Sequence, residues 1–223
     1  FCAVDTRKPM ALEADEPNRV AEATRRMKLK HVVITAVARD DLSDGGAAHF
    51  KRVIERVREV NPGVLIEVLT PDFQDDDSAI DAVISARPEI FNHNLETVRS
   101  LTPKVRSVAT YDRSLSVLAK VKKRAPEIYT KSGLMLGLGE TKEELLETMA
   151  DLRSARCDLL TLGQYLQPTE KHLKIEEFIH PDQFAAYKRT AEAMGFSYVA
   201  SGPLVRSSYH ADDFVPEEFA SRL

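Results

Sequence analysis

The chain has 223 residues, which is enough for one large domain or two small ones. Hydrophobic residues make up 43% of it and charged residues 30%, and the formal net charge is -4. This mildly acidic composition is that of an ordinary folded protein and does not favour binding to nucleic acid or anionic lipid, and no apolar run reaches the roughly 18 to 20 residues that a membrane span needs.

The apolar pattern predicts helices and strands that alternate along the chain. A helix begins near Pro17, and a β-branched run that reads as a buried strand follows it. The predicted strands cover residues 31–36, 64–69, 89–91, 129–136, 159–163 and, as a last short strand, 197–200. Further helices are predicted at about 47–60, 78–86, 113–124, from Thr141 with a capping-box pattern, and from Pro181 to near Gly195.

Strands separated by helices indicate an α/β fold with a parallel sheet and right-handed crossovers. We count five strands before the tail and, because the first predicted element is a helix, expect one more strand upstream. The expected architecture is therefore a partial (βα)6 TIM-like barrel whose first strand is missing. We expect a single domain over residues 1–223, with the barrel at about 1–200 and a C-terminal tail at about 201–223.

The richest polar group follows the third predicted strand, and in parallel barrels the chemistry lies at such strand ends. Asn92, His93, Asn94 and Glu96 place amides, an imidazole and a carboxylate within five residues. The amides and the carboxylate suit a ribose or an amino-acid group, but Asn side chains also cap loops, so both interpretations stay open. His93 taken alone is more typical of a structural histidine than of a ligand.

Two further loops leave alternatives open. Asp40 and Asp41 suit an acid–base pair or a cation site, while a solvated loop explains them equally simply. The turn at Gly137 and Gly139, with Gly133 before it, suits close approach to a phosphate or an adenosine-like group. It matches neither the G-x-G-x-x-G pattern nor a P-loop.

The cysteines and the chain start carry less information. The sequence begins Phe1-Cys2 without a Met, which is typical of a processed or truncated chain. Cys2 and Cys157 are not spaced as a disulfide framework, so we expect a reducing, cytosolic setting, with Cys157 as a buried core thiol. The basic run at 120–124 is expected on a solvated helix face rather than in a nucleic-acid patch.

Six stretches, in order and without large gaps, resemble the lipoyl synthase family of the radical SAM superfamily. They cover residues 32–35, 39–46, 91–96, 130–141, 160–168 and 202–211, and include the run Phe-Asn-His-Asn-Leu-Glu and the run Arg-Ser-Ser-Tyr at 206–209. The similarity extends from Cys2 to about Ala211. Six blocks in register are far more specific than any one of them.

The resemblance implies a sulfurtransferase activity and its cofactors. Enzymes of this family insert two sulfur atoms, at C6 and C8, into an octanoyl chain carried on a lysine of a partner protein. They use S-adenosylmethionine, a [4Fe–4S] cluster that cleaves it, and an auxiliary [4Fe–4S] cluster that donates the sulfur. The implied partners are an octanoylated lipoyl carrier, such as 2-oxoacid dehydrogenase E2 or glycine cleavage H protein, and an electron donor. Neither nucleic acid nor membrane is implied, and the expected location is cytoplasmic.

The resemblance also implies roles for individual residues. Cys2 is expected to be the third cysteine of a C-x3-C-x2-C cluster motif, and Ser208 to bind the auxiliary cluster, with Ser207 as the alternative. Lys131 and Arg206 suit a carboxylate, or are surface charges. The candidate contacts to S-adenosylmethionine or substrate are Asn92, Asn94, Glu96, Gly137, Gly139 and Gln164. No catalytic residue is assigned.

Departures from the family pattern keep two alternatives in view. The five upstream cysteines of the family are not in this sequence, and Ala36 and Ala38 stand where the family has a serine and an aspartate. Because one thiolate cannot hold a [4Fe–4S] cluster, we expect the fragment itself to be inactive. The alternatives are another radical SAM sulfur-inserting enzyme, against which the Arg-Ser-Ser-Tyr run argues, and a barrel that binds an adenosine ligand without a cluster.

Overall fold

The structure is a computed structural model, and it describes residues 9–106 and 108–208. The strands are β1 (His31–Thr35), β2 (Leu65–Leu69), β3 (Ile90–Asn92), β4 (Tyr129–Leu136), β5 (Leu159–Gln164) and β6 (Tyr198–Gly202). The helices are α1 (Glu16–Arg26), α2 (Ala47–Val60), α3 (Asp77–Ser85), α4 (Thr102–Val105), α5 (Tyr111–Arg124), α6 (Lys142–Ser154) and α7 (Pro181–Ala193). Within these ranges, no helix has the length and apolar character needed to cross a membrane.

The six strands form one parallel sheet in chain order, with β1 and β6 at its two edges. The predicted α/β barrel-type fold with a parallel sheet is confirmed. The count of five strands before the tail was one too low, because β6 pairs with β5 from Tyr198 to Gly202 and is a full member of the sheet. The upstream strand stays a prediction.

The hydrophobic core lies between the sheet and the helices. Phe50 and Val57 recur at helical spacing on α2 and are buried in one cluster with Ile66 and Val68 of β2. A second cluster lies between β4 to β6 and the helices α6 and α7. Since neighbouring residues of a strand point to opposite faces, Glu67 of β2 points away from these helices, into the barrel interior.

Side-chain caps determine where two helices begin. The Thr110 hydroxyl accepts a hydrogen bond from the Arg113 N–H (3.2 Å), so α5 begins at Tyr111, two residues before the predicted start. The capping box predicted for α6 is confirmed. Its two hydrogen bonds run from the Glu144 N–H to the Thr141 hydroxyl (3.2 Å) and from the Thr141 N–H to the Glu144 carboxylate (2.8 Å).

The basic run on α5 is the solvated face that the sequence suggested only in part, because Lys123 and Arg124 are exposed but Lys122 is buried. Lys122 is only 8% exposed, donates to the Ile128 carbonyl (3.0 Å) and pairs with Asp158 (2.7 Å). Lys120 pairs with Asp75 (3.0 Å), in the turn after β2. Arg124 pairs with Asp77 and Asp81 of α3, so acidic side chains offset most of the charge of the run.

Candidate active site at the open end of the barrel

A cavity of about 250 Å³ opens at the carboxyl ends of β4 and β5, where a parallel barrel carries its chemistry. Three predicted ligand contacts, Asn94, Glu96 and Gln164, lie in its wall. The other lining residues are Gly133, Leu134, Met135, Thr161, Gly163, Tyr165, Leu166, Pro168, Val205, Arg206 and Ser207. The C-terminal segment therefore forms one side of the cavity.

The end of β3 holds Asn94 and Glu96 at the cavity. The Glu96 N–H donates to the Gly133 carbonyl (2.9 Å), which continues the pairing with β4 beyond Asn92. Asn94 Nδ2 donates to Glu96 Oε1 (3.0 Å) and to Ser207 Oγ (2.8 Å). Asn94 Oδ1 is buried and has no hydrogen-bond partner in the described part of the chain. A buried acceptor without a partner can accept a hydrogen bond from an N–H or O–H group of a ligand.

The Glu96 carboxyl group is electrostatically suited to the same ligand. Burial raises its pKa, and the hydrogen bond from Asn94 and the charge of Arg106 offset only part of this rise. A bound cation or hydroxyl donor would stabilise the ionised form. Glu96 and Asn94 Oδ1 can therefore accept two hydrogen bonds from one ligand.

Asn92 lies two residues further back and belongs to a polar cluster inside the barrel. It is fully buried, and its Nδ2 donates to Glu67 Oε1 (2.8 Å). Lys131 Nζ lies 2.9 and 3.1 Å from the two Glu67 oxygens, and His31 Nε2 lies 3.6 Å from Glu67 Oε2. Burial raises the pKa of Glu67, but hydrogen bonds and charge from His31, Lys131 and Asn92 outweigh burial and hold it below its usual value. A ligand contact by Asn92 stays a prediction.

Gly137 and Gln164 pack against the loop after β5. Gly137 has a φ of 92°, and a Cβ on it would collide with the Glu177 carbonyl and the Gln164 amide. Gln164 Nε2, with two N–H donors, lies 3.0 to 3.1 Å from the Leu136, Tyr165 and Glu177 carbonyl oxygens. Their hydrogen bonds shape the rim of the cavity, and Gly139 belongs to the same turn. Direct ligand contacts by these three predicted residues stay predictions.

The Glu140 carboxylate closes the glycine turn after β4. It accepts hydrogen bonds from the Gly137 N–H (2.6 Å) and the Leu138 N–H (2.9 Å). These backbone donors are therefore already engaged by the protein. The turn thus has no free amide at these two positions for the phosphate that the sequence pattern left open.

The structure places His93 and Cys157 away from the cavity. Both His93 nitrogens are engaged, Nδ1 with the Thr70 carbonyl and Nε2 with the Ser114 hydroxyl, each at 2.9 Å. Burial lowers the pKa of His93 to about 4. Cys157 is fully buried, and burial raises the pKa of its thiol to about 12. Both residues are structural, as the sequence suggested.

The acidic loop after β1 shows no arrangement for catalysis. Asp41 accepts two hydrogen bonds of 2.8 Å from the Arg39 guanidinium, and Asp40 and Asp41 are both exposed. This supports the solvated-loop alternative.

Comparison with known proteins gives the family. Residues 1–152 match the model of the radical SAM superfamily. Lipoyl synthase from Shouchella clausii is 59% identical to this chain over 96% of it and 70% of its own length. Lipoyl synthase from Halalkalibacterium halodurans is 56% identical over 97% of this chain and 72% of its own length. The chain belongs to the lipoyl synthase family.

Solved structures share the fold of this lipoyl synthase family chain at low sequence identity. Methylornithine synthase superposes with a TM-score of 0.64 at 13% identity, over 91% of this chain and 67% of that one. SuiB from Streptococcus suis superposes with a TM-score of 0.66 at 11% identity, over 96% and 49% of the two chains. At these identities the likeness concerns the fold alone.

Of the two predicted iron ligands of this lipoyl synthase family chain, the structure describes only Ser208. Cys2 lies outside the described residues. Ser208 is exposed, whereas the hydroxyl of Ser207 accepts a hydrogen bond from Asn94. In the ranges 9–106 and 108–208, no three His, Cys, Asp or Glu side chains are placed to hold a metal ion. These ranges alone therefore do not fit an iron–sulfur cluster, whereas the cavity wall fits a ligand that carries hydrogen-bond donors.

The sequence analysis of this lipoyl synthase family member missed Glu67 and His31. A signal for Glu67 was available, because it is the one charged residue in the strand Leu65–Leu69, as Lys131 is in β4. Isolated charges of opposite sign in two central strands indicate a buried ion pair, since charged side chains are rarely buried unpaired. Lys131 was predicted to hold a ligand carboxylate or to be a surface charge. It is buried and pairs with Glu67, so the surface alternative is wrong and a contact with a ligand carboxylate stays a prediction.

Proposed function

We propose that this chain is the barrel of a lipoyl synthase and binds S-adenosylmethionine in the cavity lined by Asn94 and Glu96. The reaction inserts sulfur at C6 and C8 of an octanoyl chain on a lysine of a carrier protein, and its cofactors are S-adenosylmethionine and two [4Fe–4S] clusters. The observation that carries the proposal is the buried Asn94 Oδ1, which has no hydrogen-bond partner in the described part of the chain, beside the partly buried Glu96 side chain. When bound, S-adenosylmethionine would supply the hydrogen-atom abstraction that breaks the substrate C–H bonds, with the electron it needs coming from a [4Fe–4S] cluster.

The residues of the cavity wall bind and orient this ligand. Glu96 accepts a hydrogen bond from an amine or a ribose hydroxyl, and Asn94 Oδ1 accepts a second one. Gly133 keeps the wall open, because a Cβ there would lie 2.7 Å from Thr161 Oγ1 and 2.9 Å from Asn94 Oδ1. In this proposal Gln164 and the glycine turn shape the rim, and Asn92 supports the site from below.

Cys2 and Ser208 are the proposed iron ligands of this chain. The engagement of the Ser207 hydroxyl by Asn94 (2.8 Å) supports Ser208 rather than its neighbour, because the Ser208 side chain is exposed. A hard alkoxide among thiolate-held irons would make one iron chemically distinct, which suits a cluster that gives up sulfur. Residues 1–200 are the barrel in this proposal, and 201–223 are the tail that brings the serine.

The proposed partners follow from the octanoyl substrate. The carrier is the E2 component of a 2-oxoacid dehydrogenase or the glycine cleavage H protein, and an electron donor reduces the cluster. The proposed location is cytoplasmic.

Ligand binding tests the proposal directly. Equilibrium dialysis with labelled S-adenosylmethionine should show binding by the unmodified chain and at least about tenfold weaker binding by Glu96→Gln, because a hydrogen bond to a charged group is worth roughly 1.5 to 3 kcal/mol. Glu55→Gln is the matched control, since Glu55 lies on the exposed face of α2 and should leave the affinity unchanged. Equal affinity in the unmodified chain and in Glu96→Gln would contradict the proposed site.

A further inference from the structure

Residues 203–208, here called the serine segment, lie across the open end of the barrel. Val205 of this segment is buried, and its carbonyl oxygen lies so close to Gly163 that a Cβ on that glycine would collide with it. The segment is therefore packed onto β5 rather than standing away from the barrel. The Val205 N–H also donates to the Gly202 carbonyl (3.1 Å) at the end of β6.

Two side chains from the barrel interior hold Ser207 at two different atoms. Asn94 Nδ2 donates to Ser207 Oγ (2.8 Å), and Lys131 Nζ donates to the Ser207 carbonyl oxygen (2.7 Å). Asn94 follows β3 and Lys131 lies on β4, so the holds come from different elements. Two contacts at separate atoms restrain the rotation of Ser207 as well as its position.

The hydrogen bond from Lys131 to Ser207 has a fixed geometry because all three N–H donors of the ammonium group are engaged. An ammonium group has three N–H donors. Those of Lys131 serve three acceptors, namely the two Glu67 oxygens at 2.9 and 3.1 Å and the Ser207 carbonyl. Asn92 in turn donates to Glu67, so the carboxylate that fixes the lysine is itself fixed. A chain of buried hydrogen bonds thus runs from β2 to the serine segment.

We propose that Lys131 and Asn94 are positioning residues which lock Ser207 inward and thereby present Ser208 outward at the barrel mouth. The Glu67–Lys131 pair then serves the serine segment as well as the barrel core. That this arrangement positions an iron ligand rests on the proposed function. The hydrogen bonds from Asn94 and Lys131 to Ser207 are present without any ligand.

Hydrogen–deuterium exchange of the unliganded chain tests the hold. A single turn hydrogen bond gives an amide little protection by itself, so the Val205 amide is well protected only while Val205 stays buried against β5, and its exchange therefore reports opening of the serine segment. In Glu67→Gln/Lys131→Met, which removes both charges and leaves neither unpaired, this amide should exchange about tenfold faster or more relative to the amides of β4 and β5. The control is Lys120→Met on the outer face of α5, which should leave the ratio unchanged.

A second variant keeps the test independent of the barrel interior. Ser207→Ala removes only the hydroxyl held by Asn94 and should speed Val205 exchange about threefold to tenfold, without changing exchange in the sheet. An equal rise at Val205 and throughout β4 and β5 would mean that the pair only stabilises the fold, and would overturn the proposal. So would unchanged Val205 exchange in Ser207→Ala. Because no S-adenosylmethionine is present, a failure here is separate from failure of the binding test with Glu96→Gln.

Discussion

Lys131 of β4 and Glu67 of β2 form a buried ion pair although β3 lies between their strands. Their closest atoms are 2.9 Å apart, and both side chains are almost fully buried. They meet because both point to the concave side of the sheet, where curvature brings alternate strands together. The interior of this barrel is therefore polar at a level where packed parallel barrels carry branched aliphatic residues.

Removing one partner of this pair should destabilise the fold far more than removing both. Lys131→Met leaves the buried Glu67 carboxylate without its lysine partner, so we expect the free energy of unfolding to fall by about 3 to 5 kcal/mol. Glu67→Gln/Lys131→Met should lose clearly less. Urea unfolding followed by circular dichroism measures both. Lys120→Met is the control, because its partly exposed pairs should contribute only about 1 kcal/mol or less.

The two glycines of the turn after β4 should differ in their tolerance of alanine. Both have a positive φ, 92° at Gly137 and 105° at Gly139, which costs an L-residue about 1 to 2 kcal/mol. A Cβ on Gly137 would in addition collide with the Glu177 carbonyl, whereas a Cβ on Gly139 meets nothing closer than 3.5 Å. We therefore expect Gly137→Ala to lower the melting temperature markedly more than Gly139→Ala. Equal effects would show that the loop after β5 simply moves away.

Acid should weaken the fold through His93. Burial lowers its pKa to about 4, whereas the unfolded chain binds the proton near pH 6.5, so the stabilisation is complete above 6.5 and is lost as pH falls toward 4. The loss over this window should be roughly 3 kcal/mol. His93→Gln should remove this part of the pH dependence, as measured by urea unfolding between pH 4.5 and 7. Parallel curves for the unmodified chain and His93→Gln would show that His93 is not the group responsible.

The order of the elements was readable from the sequence because the local signals agree with the packing. The β-branched run in β1 and the apolar spacing of α2 each predict one element, and the capping-box pattern at Thr141 was confirmed at its residue. The ends of α5 and β3 were displaced by one or two residues, because tertiary contacts and the Thr110 cap determine them. The short strand β6 was recognised but left out of the strand count, since four or five residues alone do not show which strand they pair with.

The candidate site was only partly readable, because its key contacts join residues far apart in the sequence. Asn94 and Glu96 share one strand end, and their residue types alone marked them. The contacts of Lys131 with Glu67 and Ser207 span 64 and 76 residues, and no periodic pattern encodes such a distance. The inward orientation of Ser207 likewise depends on its hydrogen bonds with Asn94 and Lys131, and not on its neighbours in the sequence.

Glu96 should make the fold less stable at neutral pH. A residue that contributes to binding rather than to folding is expected to have this effect. Burial raises its folded pKa above the unfolded value of 4.5, so the stabilisation it gives is complete below pH 4.5 and is lost as pH rises through the folded pKa. Glu96→Gln cannot ionise and should therefore unfold at a higher urea concentration than the unmodified chain at pH 7. The advantage should vanish near pH 4, while Glu55→Gln should show none at either pH. If Glu96→Gln is more stable at pH 7 and also binds S-adenosylmethionine at least about tenfold more weakly, Glu96 lowers the stability of the fold and contributes to binding. If Glu96→Gln is more stable but binds equally well, Glu96 has no part in the site.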